Sequence, residues 1–247
     1  MPSYINIVNN MNKTQSRERS EVLADQLSEK IIQGKLEAGE KLNEADIALK
    51  FNVSRGPVRE ALRRLSERQL VVFSPNAGAK VKHHALEDML NLLEVRLSLE
   101  VSAVQSAAKR MSTDEKSVLN NLFKRHSREM EANDPDVYAL TTEDLDFHYV
   151  IAKHSGNPVL FKILCDDLYP RLRICRRQHQ YVSGRATQAL EEHRRILRAI
   201  EECDDELAGI LMRRHLTAAK ESLKRVMKKT ESDLKQSSLK KKKSKLK

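Results

Sequence analysis

Asp144 and His148 stand four residues apart, so a helix through them carries both side chains on one face. His193 opens a later helical stretch, and His215 falls in the middle of the last one. One carboxylate and three imidazoles are a donor set for a divalent ion gripped between helices, with positions left for water or a ligand. A lone histidine is more often a hydrogen-bonded or surface residue; the Asp144–His148 spacing is what lifts this set above that reading. Asp146 is a rival carboxylate, but two residues from His148 it projects from another helix face. His83, His84, His126, His154 and His179 have no comparable context and are read as non-ligands. A centre with open positions could also activate water. No general base in a suitable motif accompanies it, since Asp146 and Glu192 are only sequence neighbours of the histidines. No Gly-rich phosphate loop is present, and no Ser or Cys sits in a nucleophile motif, so the chain is read as a non-enzyme.

A second chemistry lies in the stretch from Val53 to Leu65. Val58, Leu62 and Leu65 recur at helical spacing and form an apolar back. Arg55, Arg59, Arg63 and Arg64 project elsewhere. A short helix with an apolar back and an Arg-rich front suits a DNA major groove. Ser54 is placed to cap it through its hydroxyl, and Pro57 is tolerated in the first turn. The bland alternative is a small helical domain with a solvated Arg face.

The surrounding elements fit a DNA-reading unit. Residues 45–51 predict a short helix with Ile47, Ala48 and Phe51 turned inward, and Asn52 suits a left-handed turn. Val22, Leu23, Leu27, Ile31 and Ile32 mark a longer helix ending near Gly34. Leu70–Phe73 and Ala79–Val81 flank Pro75-Asn76-Ala77-Gly78 and predict a two-stranded wing. The histidines need a different frame. From Leu86 onward, amphipathic helices are expected over roughly 86–111, 114–132, 135–155, 158–182, 186–203 and 205–230. Ser112-Thr113-Asp114-Glu115 reads as a capping box; Asn133-Asp134-Pro135 and Ser155-Gly156-Asn157-Pro158 read as breaks. Short loops between such helices imply an antiparallel bundle. The expected class is therefore mostly α, a winged helix-turn-helix followed by an antiparallel six- to seven-helix bundle. The expected divisions are a disordered 1–16, a DNA-binding domain over 17–82, a linker over 83–87, an effector domain over 88–230, and a disordered Lys-rich tail over 231–247.

Two motifs resemble a known family. Ile31-Ile32-Gln33-Gly34, Gly39 to Glu44, and Val53 to Leu65 look like the winged-helix signature of GntR transcription regulators over residues 17–82. The resemblance implies that Ser54, Arg55, Gly56 and Arg59 meet a double-stranded DNA operator, Arg55 and Arg59 mainly at base edges. It implies that Gly78 lets the wing approach the minor groove. Gly56 stands where relatives often have Thr, and Ala77 where they often have Arg. Asp144 to His148, Ser155-Gly156-Asn157, Glu192 to Ile200 and Met212 to Leu216 resemble the FCD effector domain of the FadR-type branch. That implies a metal held by Asp144, His148, His193 and His215, zinc first and nickel as an alternative; His and carboxylate donors suit manganese as well. It also implies a homodimer. Glu94-Val95-Arg96 with Glu100 is similar to the family's first effector helix, which implies Arg96 as a clamp for a small carboxylic acid effector. A structural ion pair with Glu94 or Glu100 is the alternative for Arg96. Asp166 to Arg173 resembles members found beside propionate and 2-methylcitrate catabolism genes, which implies a 2-methylcitrate-type acid. Lactate, malonate, a sugar acid or another dicarboxylate stay open.

Composition limits the remaining classes. The 247 residues have room for two domains. No apolar run is long enough to span a membrane, and the first 16 residues are polar, without a signal-peptide core. A cytoplasmic location is expected, with Cys165, Cys175 and Cys203 as reduced thiols. The net charge of +10 mostly reports residues 224–247, where eleven Lys or Arg face two acids. Specific DNA reading therefore rests on where the α-helical arginines sit, while the tail could hold phosphate without sequence preference or be merely solvated. The reading is a ligand-responsive DNA-binding transcription regulator, a repressor released by a small organic acid. A metal-responsive regulator and a purely structural metal site are its rivals.

Overall fold

The computed structural model describes residues 4–74, 78–132, 147–178 and 184–244. The chain divides into two units between His84 and Ala85.

In the first unit, α1 spans Tyr4–Ile32. It begins where the sequence reading leaves residues 1–16 without structure. No Pro or Gly interrupts the chain from Tyr4 to Gln33, so nothing stops the helix from propagating that way. Leu23, Ala24, Leu27 and Ile31 recur at helical spacing and are buried. The helix ends at Gly34, whose φ is +72°. There the Lys35 amide donates to the Lys30 carbonyl at 2.8 Å and the Gly34 amide to the Ile31 carbonyl at 3.0 Å, a Schellman stop.

The next two helices are α2, Glu44–Phe51, and α3, Arg55–Glu67. Asn43 caps α2 by accepting the Ala45 amide at 2.9 Å. Asn52 closes it in the left-handed region expected for it, at φ 51°. Ile47 is buried, while Ala48 and Phe51 are half-buried. Val58, Ala61, Leu62 and Leu65 of α3 are fully enclosed. One detail departs from expectation: Ser54 occupies the N-cap position of α3 but makes no side-chain cap hydrogen bond. A capping hydroxyl accepts from the second or third helical amide. The third helical residue here is Pro57, which has no amide hydrogen.

The wing holds three strands rather than two. Strands β1 (Lys41–Leu42), β2 (Val71–Ser74) and β3 (Gly78–Val81) form an antiparallel sheet in the order β1-β3-β2. Val71 pairs with Val81 and Ser74 with Gly78 on one side of β3; Leu42 pairs with Ala79 on the other. A two-residue strand has no period for a sequence to display, so β1 was not visible in advance. Pro75, Asn76 and Ala77 lie outside the described residues.

The second unit is helical. Its elements are α4 (Leu86–Arg110), α5 (Thr113–Ala132), α6 (Phe147–Lys153), α7 (Pro158–Phe161), a π-helical stretch (Lys162–Leu168), α8 (Tyr169–Gln178), α9 (Arg185–Glu201) and α10 (Asp205–Ser244). Its core gathers Leu93, Val104, Leu119, Phe147, Leu172, Ile196, Ile200, Met212 and Leu223. The capping box forms: the Ser112 amide donates to Glu115 Oε2 at 2.8 Å, and the Glu115 amide to Ser112 Oγ at 3.3 Å. Asn157 caps α7 by accepting the Leu160 amide at 3.1 Å. The single helix expected over 158–182 is interrupted by the π-helical turn. Pro170 explains it, since its ring would press on the carbonyl four residues earlier, at Asp166, and it offers that carbonyl no donor. The first part of the helix expected from residue 135 lies outside the described residues. At the other end, α10 continues to Ser244, past the boundary at 230 where a disordered tail was expected. After Gly209 the chain has no Gly or Pro to stop it, and Lys, Leu and Glu are good helix formers.

Candidate metal centre and nucleic-acid interface

Three helices bring three imidazoles together. His148 comes from α6, His193 from α9 and His215 from α10, and all are at most 6% exposed. Their Nε2 atoms are mutually close: 3.1 Å between His148 and His193, 3.3 Å between His193 and His215, and 3.2 Å between His148 and His215. Asp144, the fourth member expected, lies outside the described residues, as does its rival Asp146.

The outer ring nitrogens decide what the inner ones can do. His148 Nδ1 faces Glu100 Oε2 on α4. His215 Nδ1 faces Glu192 Oε2 on α9 at 2.6 Å. An ionised carboxylate only accepts, so each of these Nδ1 atoms carries the proton. Both Nε2 atoms then present lone pairs to each other at 3.2 Å. Converging lone pairs repel unless a cation lies among them. Ligand nitrogens about 2.0–2.1 Å from one zinc ion are about 3.3–3.4 Å apart in a tetrahedral shell and about 2.8–3.0 Å apart in an octahedral one. The observed separations fall across that span, so these residues fit a divalent ion without selecting its geometry. Phe147 stacks on His193 with ring centroids 4.3 Å apart and fixes that ring.

Burial dominates the electrostatics. It drives the His193 pKa well below the ordinary imidazole value, with His215 and His148 adding to the effect. It brings His215 down to about 3 against the opposing pull of Glu192, and it lowers His148 against Glu100. All three rings are therefore neutral and ready to donate lone pairs. Burial works against ionisation of Glu100, yet Arg96, His148 and Arg176 hold its carboxyl well below the usual carboxylate range. Glu192 is likewise held low, against its burial, by His215 and Arg185.

Arg96 is 2% exposed, and its Nε contacts Glu100 Oε1 at 2.5 Å. Glu94, the other partner considered for it, binds Lys220 instead at 2.5 Å. Arg185, which the sequence reading did not single out, is also buried. Its Nη2 contacts Glu192 at 3.0 Å, while its Nε and Nη1 have no hydrogen-bond partner among the described residues. In the sequence, Glu100 reads as an ion-pair partner for Arg96 and Glu192 only as a neighbour of His193. Their position behind the histidines could not be read without knowing how α4, α9 and α10 pack.

At the DNA-reading helix, Ser54, Arg55, Gly56 and Arg59 are exposed. The missing cap bond leaves the Ser54 hydroxyl available to an outside partner. A Cβ at Gly56 would meet nothing within 4 Å, so the backbone does not require glycine there. Gly78 is different: its surroundings are open, but its φ of +72° favours glycine. The four-arginine front expected from sequence is narrower than that. Arg64 is only 19% exposed and lies between Glu60 and Glu21, because its position on the helix turns it toward α1. Arg63 is held by Glu60 and Glu67.

Comparison with known proteins agrees with both units. Residues 19–81 match the profile of bacterial regulatory proteins of the gntR family, and residues 91–218 match the FCD domain. The chain is 27% identical over 203 residues to the HTH-type transcriptional regulator YdhC of Bacillus subtilis, covering 82% of this chain and 90% of that protein. It is 30% identical over 238 residues to the Uxu operon regulator of Haemophilus influenzae, covering 88% and 85% of the two chains. The solved structure of E. coli McbR/YncC shares the fold with a TM-score of 0.69 at 19% identity, covering 84% of this chain and 97% of that one.

Proposed function

Because the chain belongs to the GntR family of bacterial transcription regulators, in the branch that carries an FCD domain, we propose that it is a homodimeric repressor released by a small organic acid. Its family makes it a DNA-binding regulator rather than an enzyme. The finer reading is carried by one observation: three neutral, buried imidazoles point their Nε2 atoms at one place. His148, His193 and His215 would hold the ion, with Asp144 as fourth ligand by the family pattern, and zinc is the metal proposed. When bound, the ion supplies a Lewis-acidic position for a carboxylate or an adjacent hydroxyl.

The protein's own groups do the rest. Glu100 and Glu192 fix the tautomers of His148 and His215. Arg96 and Arg185 add buried positive charge on both sides of the histidines. The Nε and Nη1 donors of Arg185, without an acceptor among the described residues, favour an anionic ligand, since a buried donor left unpaired is costly. Arg96 already binds Glu100, so an acid that uses it must share or displace that carboxylate. At the operator, Arg55 and Arg59 would read base edges, and Ser54, Gly56 and Gly78 would allow close approach to the backbone and minor groove. Release requires that the acid bind the DNA-competent and DNA-incompetent arrangements with different affinity.

A thermal-shift panel on zinc-loaded and metal-stripped protein tests this. It would include 2-methylcitrate, citrate, lactate, malonate and sugar acids at millimolar concentration. Stabilisation by one acid only when zinc is present supports the reading. Stabilisation by zinc and by no acid would leave the ion as signal or staple and remove the 2-methylcitrate class.

A further inference from the structure

The guanidinium groups along α3 are in unlike states. Arg63 gives Nε and Nη2 to Glu60 at 2.9 and 2.7 Å and Nη1 to Glu67. Arg64 is enclosed between Glu60 and Glu21. Arg55 is exposed and has no ion pair among the described residues. Arg59 is intermediate. Its side chain is 68% exposed, yet its Nε contacts Glu44 Oε2 at 2.7 Å. Glu44 is the first residue of α2, so the contact spans the turn between the two helices that form the DNA-reading motif.

A single contact at Nε has a particular consequence. An exposed arginine samples many rotamers, and ordering it on a base costs entropy. The Glu44 carboxylate anchors one nitrogen and leaves Nη1 and Nη2, the terminal fork that can take guanine O6 and N7. Such a side chain is ordered before the DNA arrives. A carboxylate beside the DNA also has the opposite effect on affinity at large, because it repels phosphate on every sequence.

We propose that Glu44 is the positioning residue for Arg59, and that it raises sequence selectivity while lowering affinity for DNA in general. The inference rests on the reading of Arg59 as a base contact. It makes two effects of one substitution run in opposite directions.

The test uses the full-length protein and a DNA site enriched from a random pool by the wild type. Binding of Glu44→Gln to that site and to a scrambled duplex is measured at several salt concentrations, alongside Arg59→Ala and the double variant. The expected result is a modest rise in affinity for the scrambled duplex with a specific-to-scrambled ratio lower by about tenfold. In the Arg59→Ala background, Glu44→Gln should leave the ratio where it is. Melting temperature serves as the folding control. A ratio unchanged by Glu44→Gln overturns the proposal, because the ion pair then only joins α2 to α3. An equal fall of the ratio in both backgrounds also overturns it, because Glu44 then acts without Arg59. Failure of the wild type to enrich any sequence would overturn the DNA-reading assignment of Arg59 itself, and this inference with it.

Discussion

Metal-stripped protein should lose stability on acidification through its buried histidines. The sign follows from their environment. Burial lowers the folded pKa of His215 to about 3 and that of His193 well below the ordinary value. A group depressed in this way imposes no penalty above the unfolded pKa near 6.5. As pH falls below that value, the unfolded chain takes up a proton that the folded chain refuses, so stability falls until the folded pKa is reached. At pH 5 the penalty is about 2 kcal/mol per histidine kept neutral. That figure is set by the unfolded pKa and the pH, so it holds wherever the folded value lies below 5. His215 should then contribute about 2 kcal/mol of destabilisation between pH 8 and pH 5, and His193, shifted in the same direction, adds to it. This is a large share of a typical domain's stability.

The assay is urea unfolding of metal-stripped protein at both pH values, followed by tyrosine fluorescence, to which Tyr149 and Tyr169 of the helical unit contribute. His215→Asn removes one titrating ring and serves as the comparison. Its stability should fall by about 2 kcal/mol less than that of the wild type over the same pH range. Titrating groups that do not contact His215 cancel in the difference. Equal losses in the two proteins would refute the reasoning, since His215 would then be protonated in the fold or would relax into solvent.

Four further outcomes are expected. Glu192→Gln should weaken zinc retention by about 10- to 100-fold in a chelator competition, because His215 Nδ1 loses an ionised, acceptor-only partner and a neutral amide, which can also donate, no longer fixes its tautomer. Arg59→Ala should lower affinity for the enriched site by about 1–3 kcal/mol in a gel-shift or anisotropy titration, with much less change on scrambled DNA. Arg63→Ala, whose guanidinium is already held by Glu60 and Glu67, should leave the ratio between the two duplexes unchanged in the same titration. Ser54→Ala should change stability by only a few tenths of a kcal/mol in thermal melts, against about 1 kcal/mol for a cap that forms its hydrogen bond.

Periodicity and punctuation made most of the fold legible. Asn52, Gly34 and the Ser112–Glu115 box each govern a single turn through local chemistry, and each occurs where its type implies. The histidines could be assembled because Asp144 and His148 share a helical face and because the stretches around His193 and His215 resemble the FCD pattern. The features that escaped are those in which a local rule meets a second constraint. Ser54 is a good capping residue whose recipient is a proline. Arg64 carries the same charge as Arg59 but lies where α3 meets α1. Pro170 widens one turn into a π-helix without ending the helical run. At the chain ends, polarity and low complexity read as disorder, while the absence of Gly and Pro permits helix.

The largest gap between sequence and site concerns carboxylates. Glu44, Glu100 and Glu192 are ordinary acidic residues in sequence, and none has a motif of its own. Each contacts a functional nitrogen from a neighbouring element: Glu44 at Arg59 Nε, Glu100 at His148 Nδ1, Glu192 at His215 Nδ1. Arginine and histidine have several nitrogens, and which of them faces the ligand depends on what occupies the others. A sequence can therefore nominate the side chain but not the atom. Once Nδ1 of His148 and His215 is occupied, the lone pairs must converge at Nε2; once Nε of Arg59 is occupied, Nη1 and Nη2 are the donors left for a base. The partner carboxylate converts a residue with several options into one with a single use, and it does so from a helix whose approach is decided by core packing far from the chemistry.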